Sequence, residues 1–262
     1  ERDVVLPWLV LGLLVWLAGP IAAELQPHGI KGTDNRVWVN GAEPPWQAIG
    51  RIHKAGMGFC TGVLISPRQV LTAAHCIWNR ETNRPIPGEF LFFVAGYHKE
   101  AYLAHSNVRR IHHHPDYQQR QGGEVELSMV QRDWALLDLE QPITQVPPIP
   151  LRRLNAAQLA RRGVDDFVLQ AGFSKDRPYI LTLDEHCLLK GKASTGELVV
   201  HDCDAIKGDS GSPLMLREGQ GLVVVAIHSA TYESATPGQP GNAEPLGLAV
   251  PGASIPADKL LK

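Results

Sequence analysis

The apolar residues of this chain fall into many short runs that are separated by turn-forming residues. Gly occurs 25 times and Pro 20 times, which is typical of a β-rich protein with frequent turns. Helical periodicity is scarce and predicts a single short surface helix, over residues 156–162. The apolar runs predict strands over residues 47–53, 62–65, 90–95, 134–139, 167–172 and 222–228. The pattern therefore favours an all-β fold.

The N-terminal segment differs from the rest of the chain, because it is almost wholly apolar from residue 4 to residue 18. Small residues follow, so the segment predicts a secretory signal peptide cleaved after Ala23. Only Arg2 supplies a positive charge before the apolar run, and a run of about 20 apolar residues could just span a bilayer. An uncleaved membrane anchor is therefore the alternative. With cleavage, residues 1–23 are the signal peptide and residues 24–36 form a short propeptide or N-terminal extension.

Composition places the remainder among ordinary globular proteins. The formal net charge is -2 and the sequence pI is about 6.6, which argues against a nucleic-acid partner. Residues 37–262 are enough for a sizeable hydrophobic core. After removal of the signal peptide, no membrane association is expected.

Three separate motifs, TAAHC, RDWALL and GDSGSP, supply a histidine, an aspartate and a serine at His75, Asp133 and Ser210. That order along the chain matches one of the known arrangements of the Ser-His-Asp catalytic triad. A serine hydroxyl is a poor nucleophile at neutral pH, and it needs a base to take its proton as it attacks a carbonyl. We therefore expect His75 to act as the base, and Asp133 to fix its tautomer and stabilise the imidazolium.

Glycines surround the serine and permit a tight turn. In such a turn the backbone N–H groups of Gly208 and Ser210 are expected to form an oxyanion hole. Each donor of this kind is worth roughly 3–4 kcal/mol in the transition state.

With these motifs and flanking residues, the chain resembles chymotrypsin-type serine endopeptidases, and most of all their bacterial trypsin-like and glutamyl endopeptidase branches. The resemblance runs from about residue 30 to residue 250. It implies two packed six-stranded antiparallel β-barrels, over residues 37–145 and 146–262, joined by a proline-rich crossover at residues 144–150, with the active site in the cleft between them. It also implies a secreted or periplasmic monomer that cleaves peptides or proteins through an acyl-enzyme, without a cofactor. A secreted, non-catalytic binding protein on the same fold is the alternative.

The four cysteines allow three pairings. The family has a disulfide at the spacing of Cys60 and Cys76, which would clip the loop that carries His75. Cys187 and Cys203 would then close a hairpin before the nucleophile, and each bridge would stay within one lobe. Disulfides imply an oxidising compartment. No metal site is expected, because there is no CxxC motif and the consecutive residues 112–114, all histidines, seldom converge on one ion.

Two interpretations of substrate preference stay open. In the family, the residue six positions before the nucleophile lies at the base of the primary pocket, and here it is Asp204, which would recruit arginine or lysine. In the glutamyl branch, a histidine on the following strand recognises an acidic side chain, and His228 stands at that place. The adjacent Ser229 is also expected to contact substrate.

The route of activation is open as well. The resemblance implies that Asp209 pairs with a buried cation, which in trypsin-like enzymes is a newly freed N-terminal ammonium. Cleavage after Arg36 would release an N-terminus at Val37. The glutamyl branch instead matures a little earlier, here near Gly29 or Ile30.

Overall fold

A computed structural model describes residues 28–119, 126–162, 167–194, 196–234 and 244–261. The predicted signal peptide, residues 1–23, lies outside the described residues. Within the described ranges, no helix is both long enough and apolar enough to cross a bilayer.

Strands dominate the described residues. In chain order they are β1 (Val37–Val39), β2 (Ile49–Lys54), β3 (Gly58–Ser66), β4 (Gln69–Thr72), β5 (Trp78–Asn79), β6 (Arg84–Pro85), β7 (Leu91–Ala95), β8 (Ala104–His113), β9 (Ala135–Leu139), β10 (Val168–Gly172), β11 (Leu181–Cys187), β12 (Leu189–Lys192), β13 (Val199–His201), β14 (Pro213–Glu218), β15 (Gly221–Ser234) and β16 (Glu244–Pro251). Within the described ranges, two short α-helices accompany them, α1 (Leu127–Val130) and α2 (Ala156–Ala160). All six strands predicted from the apolar runs are present, with ends shifted by up to six residues, and α2 is the predicted helix.

The first lobe is a closed antiparallel barrel of six strands in the order β2-β3-β4-β9-β8-β7. The residue pattern of strand β8 favours a barrel wall with one buried face. Buried Ala104, Ser106 and Val108 alternate with exposed residues, as successive side chains of a strand point to opposite faces. The side chains inside the barrel include the fully buried Ile49 and Phe93.

The second lobe is an antiparallel sheet in the order β1-β11-β10-β14-β15-β16-β13-β12. Strands β11 and β12 lie towards opposite ends of this order, yet only Leu188 separates them in the chain. The sheet must therefore curl back on itself. With β11 and β12 counted as one interrupted strand, and without β1, which precedes the first barrel in the chain, the described part of this lobe has the expected six strands. The all-β, two-barrel fold is thus confirmed.

Strand β1 departs from the expected domain boundary. Val37–Val39 pair with Leu181–Leu183 of β11, in the second lobe, although the first barrel follows them in the chain. The strands of the first barrel begin at Ile49 rather than at residue 37. The C-terminal segment makes the converse contact, with the first barrel. The side chain of Gln69, on β4, donates to the carbonyl of Lys259 at 2.7 Å and accepts from the N–H of Leu261 at 2.7 Å. Each lobe is therefore held by a terminal segment of the other.

The predicted disulfides are confirmed. Cys60 is bonded to Cys76 and Cys187 to Cys203. The first bridge ties β3 to the 3-10 turn that follows β4, and the second joins the end of β11 to the segment before the nucleophile turn.

Candidate active site

His75 and Asp133 are brought into direct contact. His75 lies in the 3-10 turn Ala74–Ile77, directly before the disulfide-bonded Cys76, and Asp133 lies between α1 and β9. Asp133 Oδ2 is 2.7 Å from His75 Nδ1, and Asp133 Oδ1 accepts the backbone N–H of His75 at 2.8 Å. With the carboxylate as acceptor, Nδ1 carries a proton and Nε2 is left as the basic nitrogen.

Asp133 is buried, at 4% exposure, and is surrounded by donors. The Ser229 hydroxyl donates to Oδ2 at 2.5 Å. Burial alone would raise the pKa of Asp133, but the charge of His75 and the hydrogen bonds from His75 and Ser229 together lower it. The Ser229 hydroxyl therefore supports Asp133, and the expected contact of Ser229 with substrate stays a prediction. Tyr117 lies beside the same carboxylate, and burial together with Asp133 raises the pKa of its phenol.

The nucleophile turn packs against the loop of His75. The N–H of Thr61, on β3, donates to the carbonyl of Ser210 at 3.0 Å, and Cys76 Sγ lies 3.6 Å from the same carbonyl oxygen. Gly211 approaches so closely that a Cβ there would sit 2.3 Å from the carbonyl oxygen of Thr61. No hydrogen bond joins Ser210 Oγ to His75 among the described residues, and such contacts are often long in unliganded enzymes.

The predicted oxyanion-hole donors are unengaged. Among the described residues, neither the N–H of Gly208 nor that of Ser210 has a protein acceptor. Gly208 has φ +107°, and a Cβ there would lie 2.5 Å from the carbonyl oxygen of Phe173. Only glycine fits this backbone conformation and this space. Two backbone donors next to the serine hydroxyl are thus available for an anionic oxygen.

Asp204 is occupied by the N-terminal segment. Its carboxylate accepts the backbone N–H groups of Lys31 at 2.7 Å and of Asn35 at 3.3 Å, and the side chain is nearly inaccessible, with 3% residue exposure. Its own N–H donates to Asp184 at 2.9 Å. Burial raises the pKa of Asp204, against the two backbone donors, which lower it. The expected carboxylate at an open pocket base is therefore not what the structure presents.

His228 forms a buried pair with His201. The N–H of Cys203 donates to His201 Nδ1 at 3.2 Å, so the proton of a neutral His201 is on Nε2. That nitrogen is 3.1 Å from His228 Nδ1, which must accept, so His228 carries its own proton on Nε2. Burial lowers the pKa of His201 to about 4 and that of His228 well below its usual value, so both rings are neutral at physiological pH.

The donor end of His228 faces Thr231. His228 Nε2 is 3.4 Å from Thr231 Oγ1, whose own proton goes to the carbonyl of Ala205 at 3.2 Å. Thr231 lines a cavity of about 530 Å³ together with Leu127, Ala193, Ser194, Ala230, Tyr232 and Leu248. The contact to Thr231 is long, so a better acceptor in this region could replace it.

The histidine-rich segment and the cysteines do not assemble a metal site in the described residues. His112 contacts Asp138 at 2.8 Å, whereas His113 contacts the carbonyl of His114, so neighbouring rings diverge. The sulfurs of Cys60 and Cys76 lie near His75, but both are consumed by their disulfide.

Sequence reasoning missed the role of Arg36, which looked like a cleavage site. Its side chain is 1% exposed and donates to the Ser174 hydroxyl at 2.9 Å. Ser174 donates in turn to both carboxylate oxygens of Asp209, at 2.9 and 2.8 Å. No local signal marks this chain of contacts, because Arg36 and Ser174 are 138 positions apart.

Comparisons with known proteins concern the family and the fold of the chain. A family model described as Trypsin matches residues 37–249. The chain is 32% identical over 140 residues to the Complement C1r-A subcomponent of Mus musculus, a match that covers 51% of this chain and 18% of that protein, so the chain spans less than a fifth of this relative. It is also similar in fold to a Glu endopeptidase solved in complex with MPD, with a TM-score of 0.63 and 19% identity over 84% of this chain and 93% of the other. With a family match across most of its length, the chain belongs to the trypsin family.

Proposed function

We propose that this protein is a serine endopeptidase that hydrolyses peptide bonds through an acyl-enzyme, with His75, Asp133 and Ser210 as its triad. The observation that carries the proposal is the His75–Asp133 hydrogen bond of 2.7 Å beside a serine turn with two unengaged N–H donors. His75 Nε2 takes the proton of Ser210 as the hydroxyl attacks the carbonyl, and returns it to the leaving amine. Water then repeats the sequence to release the acyl group.

A fluorophosphonate probe tests this proposal against the non-catalytic alternative. Rapid labelling that disappears in Ser210→Ala and in His75→Ala is expected, because the serine and its base act as a unit. Ser212→Ala is a matched control on the same turn, since the Ser212 hydroxyl has no hydrogen-bond partner among the described residues. Labelling of Ser210→Ala at the wild-type rate, or no labelling of the folded wild type, would contradict the proposal.

For the primary pocket, the contacts favour the acidic interpretation over the basic one. Asp204 is buried under Lys31 and Asn35, so a substrate guanidinium or ammonium has no open carboxylate to meet. His228 offers an N–H donor whose tautomer is fixed by His201, and this donor faces Thr231 in a buried part of the second lobe. A substrate carboxylate gains most from such a preset donor in a partly dry site. We therefore propose cleavage after glutamate or aspartate.

Cleavage profiling on a mixed peptide library tests this preference. His228→Ala is expected to reduce kcat/KM on an acidic substrate by at least about tenfold, the loss of a charge-assisted hydrogen bond. Asp204→Asn is the matched variant, and it should leave the acidic preference in place. Cleavage mainly after arginine or lysine that is lost in Asp204→Asn would reverse the assignment.

We also propose that the protein acts outside the reducing cytoplasm, as a secreted or periplasmic monomer. Both disulfides, and the absence of a free cysteine in the described residues, favour an oxidising compartment. Mass spectrometry of protein from the producing cells should find an N-terminus at or after Glu24. Light scattering should give the mass of one chain.

A further inference from the structure

Arg36 is a buried cation that is connected to the nucleophile turn through the hydroxyl group of Ser174. Its guanidinium donates to Asp34 at 3.0 and 2.9 Å, to Asp176 at 2.7 Å and to Ser174 at 2.9 Å. A guanidinium with only 1% side-chain exposure needs such partners, because an unpaired buried charge is very costly. The same side chain is therefore out of reach of a protease that would recognise it in its binding pocket.

The Ser174 hydroxyl bridges the Arg36 guanidinium and the Asp209 carboxylate. Both Asp209 oxygens accept from the Ser174 hydroxyl, and the N–H of Ile206 donates to Oδ2 at 2.9 Å. The charged groups that act on Asp209 are Arg36, which favours its ionised form, and Asp176, which opposes it. Asp209 stands between the two proposed oxyanion donors, so whatever fixes its carboxylate also fixes the position of those donors.

The segment before β1 is an integral part of the second lobe. The N–H of Ala205 donates to the carbonyl of Gly29 at 3.1 Å, and a Cβ on Gly29 would lie 2.0 Å from the carbonyl oxygen of Ala205. Ile30 is 5% exposed, and Lys31 pairs with Asp202 at 2.7 Å. With this segment in place and the Arg36–Val37 peptide bond intact, the N–H groups of Gly208 and Ser210 are already unengaged.

We propose that Arg36 is a positioning residue for the nucleophile turn, and that the protease is active without cleavage of the Arg36–Val37 bond. The guanidinium, acting through Ser174, does for Asp209 what a freed chain terminus would otherwise do. Cleavage after Arg36 would uncouple the N-terminal segment from the strand that follows it, and is not an activation step. This inference rests on the proposed endopeptidase function.

The first experiment identifies the N-terminus of active molecules. Protein labelled by a fluorophosphonate is digested and its peptides are sequenced, and peptides that span the Arg36–Val37 bond are expected in the labelled fraction. Carbamylation of the α-amine with cyanate at neutral pH should leave the labelling rate unchanged. Labelled molecules that all begin at Val37, or inactivation that follows α-amine carbamylation, would overturn the inference while leaving the protease function intact. A folded wild type that never labels would overturn the protease function itself.

The second experiment uses the pH profile above pH 8. A terminal ammonium loses its charge at about pH 8 and a lysine at about pH 10.4, whereas a guanidinium stays charged beyond about pH 12. Wild-type kcat/KM is therefore expected to stay level from pH 8 to pH 10, and Arg36→Lys to be active at pH 8 but to decline towards pH 10. A purely structural Arg36 would give the same alkaline profile in both proteins.

Arg36→Gln should lower kcat/KM by about two orders of magnitude or more, as when a buried ion pair loses one partner. Arg177→Gln is the matched control, because Arg177 also donates to Asp34, at 2.6 Å, yet makes no hydrogen bond to Ser174 among the described residues. Its activity should stay within a few-fold of wild type. Should Arg36→Gln fail to fold, the lysine variant and Ser174→Ala carry the same test. Equal losses in Arg177→Gln and Arg36→Gln would contradict a specific role for Arg36.

Discussion

Replacement of Asp209 by asparagine should change how the stability of this protein depends on pH. Asp209 is 2% exposed, and burial raises the pKa of its carboxyl from 3.8 to about 6, although Ile206, Ser174 and Arg36 all favour the ionised form. A raised pKa in the folded state means that the folded protein binds this proton more tightly than the unfolded chain does. The resulting stabilisation is complete below pH 3.8 and is lost as the pH rises through about 6. The asparagine variant has no such proton to lose.

The magnitude follows from the size of the shift. A change from 3.8 to about 6 corresponds to about 3 kcal/mol in the free energy of unfolding across the full range. About 2 kcal/mol of this falls between roughly pH 4.5 and 7.5, because the remainder lies at lower pH. As the pH rises over this interval, the free energy of unfolding of the wild type should therefore fall by about 2 kcal/mol relative to that of Asp209→Asn.

Urea unfolding monitored by tryptophan fluorescence at several pH values measures the difference. Both proteins should carry Ser210→Ala, which prevents self-digestion during the experiment. Taking the difference between the two proteins removes the contribution of other titrating groups, as long as they behave alike in both. A wild type that gains stability relative to the variant as the pH rises would refute the reasoning, since it would mean that Arg36 and the hydrogen bonds outweigh burial.

Three further predictions concern the site and its support. Gly208→Ala should abolish most peptide hydrolysis and destabilise the fold by about 1–3 kcal/mol, measured by kinetics and urea unfolding, because φ +107° and the close carbonyl at 2.5 Å exclude a Cβ; wild-type kcat would contradict this. Ser229→Ala should lower kcat by roughly tenfold with little change in KM, since Asp133 loses a charge-assisted hydrogen bond; a change in KM alone would point to substrate contact instead. The double variant Cys60→Ala, Cys76→Ala should have a free energy of unfolding in urea about 3 kcal/mol lower, because its unfolded chain is no longer restricted by the closed loop. An unchanged urea midpoint would argue against this.

Much of the architecture could be predicted from local patterns. Alternation of apolar and polar residues marks strands such as β8, and turn residues mark their ends, so six strands and α2 were located to within six residues. The motifs around His75, Asp133 and Ser210 pointed to a triad, and the structure brings the first two into contact at 2.7 Å. These signals are local because each depends on residues that are neighbours in the chain.

The partners of buried polar groups could not be predicted in the same way. Asp204 reads as a pocket carboxylate, yet it binds the backbone of Lys31, 173 positions earlier. Ser229 was expected only as a substrate contact, and the donation of its hydroxyl to Asp133, 96 positions away, was not predicted. Both assignments depend on which distant segment comes within about 3 Å of an oxygen atom, the range of a hydrogen bond.

The sequence by itself thus determined the fold class and the residues offered for catalysis, and the family resemblance implied the disulfide pairs. These signals depend on patterning, spacing and motifs that lie along the chain. Only the tertiary structure decided that β1 pairs with the second lobe, that His201 sets the tautomer of His228, and that Arg36 stands behind Asp209. The physical reason is that a buried charge or hydrogen-bond donor must find its partner wherever packing supplies one. The partner therefore depends on how distant segments pack together, and no single segment of the chain specifies it.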